Sequence, residues 1–225
     1  MVSVEGIPAS LQSRAVAIHV KPFAPALGAE VRGLELAKGL DAAAFREVHA
    51  AFLAHGVLFF KEQSEIPPAT QIAIGRMFGE LHAHPAAPTM PGFPEIFVIH
   101  AHRDSKVANG EFWHSDVSCD EIPPLGTMLQ IHVLPEVGGD TLFANMYAAY
   151  DALSKPMQQM LGGLTALHES EHVYRGRYSD RGVNDEGRVY PTATHPVVRT
   201  HPETGRDRKS TRLNSSHVSE SRMPS

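Results

Sequence analysis

Apolar residues recur along this chain with two different periods. Short runs rich in β-branched side chains have the length and composition of strands: Ala15 to Val20, Val57 to Phe60, Ile96 to Ile99, Met128 to Val133, Thr141 to Ala144 and His195 to Thr200. Between them the spacing turns helical. The clearest helix runs from Asp41 as its N-cap, through Phe45, Val48, Phe52 and Leu53 on one face, to Gly56 as its stop. A second follows Pro67-Pro68 and carries Ile72, Ile74 and Phe78, and a third starts near Asn145. Ser154-Lys155-Pro156 opens a fourth, which stops at Gly162-Gly163. After residue 95 strands and helices no longer alternate regularly. That argues against a doubly wound parallel sheet and for a β-rich α+β core with peripheral helices.

Two segments lack either period. Tyr174 to Thr194 is polar, contains Gly176, Gly182 and Gly187, and reads as a long loop of the kind that carries function or moves. From Arg206 to Ser225 the chain is rich in Ser and Arg and has almost nothing to bury, so disorder is expected there.

Composition sets the class. With 42% hydrophobic and 20% charged residues in 225, the chain is long enough to bury one sizeable core, and one large domain is the expectation. A net charge of −5 supplies no basic field for nucleic acid or an anionic membrane, which leaves a small molecule as the expected partner. Cys119 is the only cysteine, Met1 to Leu11 lacks the pattern of a signal peptide, and no apolar run has membrane-spanning length. A cytoplasmic location follows as an expectation. Oligomeric state is not readable, and a homo-oligomer is compatible with everything above.

Histidine changes the picture. There are 14, about double the usual share, so metal chemistry deserves a test. His114-Ser115-Asp116 would place an imidazole and a carboxylate on one face of an extended strand, a pair suited to one metal ion. The same spacing occurs at His102-Arg103-Asp104, and spacing alone cannot choose between the two. Context favours the first, since Phe112-Trp113 precedes it and Ile122-Pro123-Pro124 leads into an apolar strand, whereas the second lies in a polar, loop-like stretch.

A different metal reading comes from His168-Glu169-Ser170-Glu171-His172, the H-E-x-x-H pattern of zinc peptidases, which on a helix aligns two imidazoles beside a glutamate base. Gly162-Gly163 and Gly176 leave room for only a short helix there, Glu171 is charged where an inward residue is needed, and no third ligand follows on a second helix. A solvated strand-to-loop junction is the plainer reading. Gly138-Gly139-Asp140-Thr141 lacks the Lys-Ser/Thr ending of a phosphate loop and reads as a tight turn entering a strand. His82-Ala83-His84 and His100-Ala101-His102 have no carboxylate placed to complete a site, so hydrogen-bonded or solvated histidines are expected.

Four blocks taken in order, "FGELHAHP" at 78–85, "WHSDVS" at 113–118, "GGDTLFANMYAAYDALS" at 138–154 and "HPVVRTHPETG" at 195–205, resemble the taurine dioxygenase family, which includes 2,4-dichlorophenoxyacetate dioxygenases and alkylsulfatase-type relatives. The resemblance covers residues 15–205 and selects His114 and Asp116 over the other pair. It implies a double-stranded β-helix, or jelly roll, with flanking helices. It also implies an iron(II) site of two histidines and one carboxylate, to which His114 and Asp116 contribute. The co-substrates implied are 2-oxoglutarate and O2, with succinate and CO2 released as a small anionic sulfonate, sulfate ester or carboxylate is hydroxylated. Thr141 matches the threonine that binds the far carboxylate of 2-oxoglutarate. His84 matches a position that contacts the anionic group of the substrate, and Tyr174 lies near another.

Departures accompany the likeness. Ala87 stands where taurine enzymes place a tyrosine, and Asn109 is one place out of register with another pocket residue. His195 and His201 match non-ligand positions. The family's third iron ligand and a late arginine are expected beyond Gly205, where this chain instead runs into a tail resembling translated adapter sequence, so the jelly roll is expected to be incomplete at its C-terminus and the chain inactive. Three readings therefore stand: an iron dioxygenase, a zinc peptidase using His168 and His172, and a non-catalytic fragment with the dioxygenase fold.

Overall fold

The computed structural model describes residues 18–100, 110, 112–209 and 218–220. Strands β1 (His19–Pro22) and β2 (Ala29–Arg32) are antiparallel, with Val20 opposite Val31. Helix α1 (Ala42–His55) then returns the chain to β3 (Leu58–Phe59), which pairs parallel to β2. Local chemistry sets both ends of α1. The Asp41 carboxylate accepts the Ala43 and Ala44 N–H groups at 2.9 and 2.8 Å, satisfying donors that a first turn leaves open. At the other end Gly56 turns left-handed at φ 71° and donates to the Phe52 carbonyl at 2.7 Å. Immediately beyond it, Val57 accepts from Ala29 at 2.9 Å, so the end of the helix and the start of the sheet form one joint. Ala29 and Val31 on β2 and Val48 and Ala51 on α1 are all buried.

Helix α2 (Pro68–Phe78), opened by Pro67-Pro68 as expected, closes a core around Leu36, Ile66 and Ile74 with Phe60, Phe78 and Met128 packed on it. Hairpin β4 (Thr89–Met90) and β5 (Phe93–Phe97) follows. Gly138 and Gly139 both take positive φ after a bend at residues 136–137 and lead into β6 (Asp140–Leu142). Helices α3 (Met146–Asp151) and α4 (Lys155–Leu161) start on their expected caps, Asn145 and Ser154. Strand β7 (Thr165–Glu169), the one-turn helix α5 (Glu171–Tyr174) and β8 (Thr192–Pro196) complete the part that bears on the site, with β7 and β8 antiparallel and Ala166 opposite His195. A second core gathers Ala86, Tyr178 and Tyr190 with Phe97 and Tyr174 against them.

Several expectations need correction. Met128 to Val133 forms no strand among the described residues, and Leu129, Ile131 and Val133 are exposed rather than packed against a neighbouring strand. His195 to Thr200 is two strands, β8 and β9 (Val198–Thr200), broken where the buried Val197 donates back to the Leu164 carbonyl. The strand expected over Ile96 to Ile99 ends at Phe97. The first strand begins at His19, and Ala15 to Ala17 lie outside the described residues. In the tail, where disorder is expected, β10 (Asp207–Lys209) pairs with β9 and β11 (Val218–Glu220) pairs with β6. Backbone pairing on an open strand edge needs no apolar side chains, and so composition does not foresee it. Tyr174 to Thr194 is irregular apart from its first residue in α5, a short 3-10 turn at Ser179–Arg181 and the start of β8. The described sheets number five, one of three strands and four of two. The architecture is mixed α+β, and no helix among the described residues is long and apolar enough to cross a membrane.

Candidate metal centre and its surroundings

His114 lies in an irregular segment and Asp116 opens the turn at residues 116–119, so neither is in the strand the spacing presupposes. They still converge. His114 Nε2 is 3.2 Å from Asp116 Oδ1. His114 Nδ1 is 2.6 Å from the Phe112 carbonyl; a carbonyl can only accept, so Nδ1 carries the hydrogen and Nε2 is the atom that presents a lone pair when the ring is neutral. On the carboxylate, the Thr127 hydroxyl donates to Oδ2 at 2.8 Å, which leaves Oδ1 as the oxygen facing the imidazole. The hydrogen bond with Asp116 raises the His114 pKa above its ordinary value, against the opposing effect of burial.

This donor pair fits a divalent metal. Two ligands about 2.1 Å from a cation and at right angles to each other are roughly 3 Å apart, close to the 3.2 Å observed. The backbone carbonyl fixing the other ring nitrogen is the outer support that metal-bound histidines normally have. No group of three or more His, Cys, Asp or Glu side chains suited to a metal occurs among the described residues. His102-Arg103-Asp104 and Asn109 lie outside them.

The zinc-peptidase spacing does not survive folding. His168 and Glu169 are on β7 while His172 is on α5, so the pattern straddles a strand-to-helix junction and lacks the single helix that would align its imidazoles. Nor is the junction simply solvated, since His168 is buried and bonded through Nδ1 to the Ser118 hydroxyl at 3.0 Å.

His84 and Tyr174, ninety positions apart, meet edge to face with ring centroids 4.9 Å apart. Phe97 and Tyr178 stand 5.2 and 6.3 Å from the same imidazole. His84 Nδ1 accepts the Ala86 and Ala87 N–H groups at 3.1 and 2.9 Å, so in the neutral ring the hydrogen sits on Nε2. Burial, helped by the neighbouring His82, pushes its pKa down to about 4, with Asp116 and Asp120 pulling the other way. At neutral pH this is an uncharged donor. Burial likewise lifts the Tyr174 phenol far above its ordinary range, with Cys119, Tyr178, Asp116 and Asp120 adding to the effect. Both side chains are thus within electrostatic reach of Asp116. Thr141 sits on β6, whose strand partner is β11.

Three contributors have no signal in the sequence. Thr127, the hydroxyl on Asp116, and Tyr178, buried in the aromatic wall, are unremarkable where they stand. Asp120, whose carboxylate is 2.6 Å from His82 Nε2, marks out the expected hydrogen-bonded role of that histidine without itself belonging to a motif.

The depressed His84 pKa makes a stability prediction. Protonation favours the unfolded chain, so the contribution is intact above the unfolded value near 6.5 and is lost as pH falls toward 4. About 2–3 kcal/mol is at stake across that window. His84→Asn keeps an acceptor for the two N–H groups and cannot titrate. Its urea midpoint should therefore vary less with pH between 4 and 6.5, and profiles of equal slope would refute the assignment.

Comparison with known proteins places the chain in a family. The chain is 35% identical over 199 residues to the alpha-ketoglutarate-dependent sulfate ester dioxygenase of Pseudomonas putida, covering 85% of this chain and 65% of that protein. A solved taurine dioxygenase from Burkholderia xenovorans aligns with a TM-score of 0.67 at 30% identity, covering 85% of this chain and 62% of that one. The solved AAD-2, in complex with Mn(II) and N-oxalylglycine, aligns with a TM-score of 0.60 at 25% identity, covering 89% of this chain and 70% of that one. The chain therefore spans somewhat under two thirds of the length of the first two. With residues 19–223 matching its pattern, the chain belongs to the taurine catabolism dioxygenase TauD, TfdA family.

Proposed function

We propose that this chain carries the iron-binding and substrate-facing part of an iron(II)- and 2-oxoglutarate-dependent dioxygenase that hydroxylates a small anionic compound, a sulfate ester or sulfonate ahead of a carboxylate. The observation that carries the reading is the 3.2 Å approach of His114 Nε2 to Asp116 Oδ1, with Nδ1 tied to a backbone carbonyl and Oδ2 to Thr127. Names of the relatives support the substrate class, and the Mn(II) complex of AAD-2 supports a divalent metal.

His114 and Asp116 would hold Fe(2+), which when bound activates O2 and drives oxidative decarboxylation of 2-oxoglutarate to succinate and CO2. The protein's part is positional. Thr141 donates its hydroxyl to the far carboxylate of 2-oxoglutarate. His84, neutral with a hydrogen on Nε2, and Tyr174, held as a phenol, donate to the substrate's anionic group. Phe97 and Tyr178 wall off water on that side. A jelly-roll domain and a cytoplasmic location complete the proposal, supported by the fold shared with the solved relatives and by the single, buried cysteine.

The third histidine expected from the resemblance falls past Gly205, so the chain as it stands should bind Fe(2+) through two side chains and turn over little or no substrate. Binding is the decisive assay. Calorimetry without oxygen should show 2-oxoglutarate uptake only when Fe(2+) is present, and uptake that ignores the metal, or none at all, would reject the reading. Thr141→Ala should weaken that uptake about 10- to 100-fold, the effect of a lost charge-assisted hydrogen bond of roughly 1.5–3 kcal/mol, while leaving Fe(2+) affinity in place.

A further inference from the structure

The turn after Asp116 is held in a conformation its sequence resists. Val117 takes φ 48°, in the left-handed region that a β-branched residue avoids, and the Asp120 N–H closes the turn on the Val117 carbonyl at 3.1 Å. Such a residue persists only where its surroundings over-determine it. Here the support comes from the β7–β8 hairpin. Ala166 faces His195 across the ladder and His168 is two residues further along the same strand, so the two imidazoles project from one face of the hairpin and meet edge to face at 5.3 Å. Both are buried. His168 Nδ1 bonds the Ser118 hydroxyl at 3.0 Å and His195 Nε2 donates to the Asp120 carbonyl at 2.9 Å.

Space-filling residues would serve a hairpin face better without polar atoms, since burying an imidazole is unfavourable unless its nitrogens are bonded. Each of these rings directs a nitrogen to the turn that the Val117–Asp120 hydrogen bond closes, one at Ser118 and one at Asp120. We propose that His168 and His195 are positioning residues for the metal centre: together they clamp the Val117 turn in its left-handed form and so set the Asp116 carboxylate beside His114. This rests on the metal-binding reading of His114 and Asp116, and neither clamp residue touches the metal.

The test separates the two claims by using one readout for the turn and one for the site, both on the whole chain. Amide hydrogen exchange followed by NMR should show the Asp120 N–H protected. His168→Phe, His195→Phe and Ser118→Ala, the last leaving the hairpin untouched, should each speed its exchange tenfold or more without changing the Gly56 N–H at the end of α1. Co(II) titration should show affinity about fivefold weaker in each. Adding Val117→Asn, which tolerates the left-handed region, should recover most of both losses. Unchanged Asp120 exchange in all three variants, or an equal rise at Gly56, would overturn the clamp. Co(II) binding that persists in Asp116→Ala would instead overturn the metal reading alone, because the exchange result does not depend on metal.

Discussion

Asp116→Ala should abolish divalent-metal binding by this chain, with Fe(2+) affinity reduced at least about a hundredfold, and His114→Ala should do the same. Among the described residues two side chains form the proposed site, so either change leaves a single donor there, and a lone imidazole or carboxylate competes poorly with water for a cation. The carboxylate variant carries a further cost. Asp116 accepts from Thr127 through one oxygen and faces His114 through the other, and its loss also removes the interaction that raises the His114 pKa. His172→Ala is the matched control, since that residue lies on α5 and outside the pair. Metal measured by calorimetry or elemental analysis should vanish in the first two variants and persist in the third. Metal that is retained by Asp116→Ala and lost from His172→Ala would return the zinc reading to favour.

The second large effect concerns folding. Gly56→Val should destabilise the protein by about 2–3 kcal/mol, because it places a β-branched residue at φ 71° and a Cβ only 2.9 Å from Leu27 Cδ1. Leu27 can swing aside, but the backbone cannot. Gly56 is where α1 stops and the parallel pairing of β3 with β2 starts, and the His55 and Val57 carbonyls on either side of it accept from Gly28 and Ala29. Relaxing φ would thus pull on the helix end and the sheet together. A urea titration reads the loss directly, and Gly56→Ala should cost less because alanine is not branched at Cβ.

What could be read in advance follows from how local its cause is. Asp41, Gly56, Asn145 and Ser154 each fix a helix end through contacts within a few residues, and all four stand where the sequence puts them. Strand limits depend on partners far along the chain. Met128 to Val133 has the composition of a strand, yet no neighbour among the described residues supplies its ladder, while Asp207–Lys209 has none of that composition and pairs because β9 offers an edge. The site divides in the same way. His114 and Asp116 are two residues apart and were legible as a pair, although the left-handed Val117 that shapes their turn has no mark in the sequence. The meeting of His84 with Tyr174 could be anticipated only through resemblance, since ninety residues separate them and no periodicity spans that distance.

The run from Leu129 to Val133 leaves its apolar side chains outside. Leu129, Ile131 and Val133 are exposed, Val133 by 88%, while Gln130 between them takes the Ile66 N–H at 2.8 Å and reaches His132 at 3.1 Å. Anchoring through the polar residue fixes the register, so the apolar side chains cannot rotate inward to hide. Whatever covers them must come from outside this stretch, and when that is another molecule the encounter is second order. The initial rate of turbidity should then climb with the square of protein concentration while unimolecular unfolding does not, so dilution should slow the loss of protein from solution.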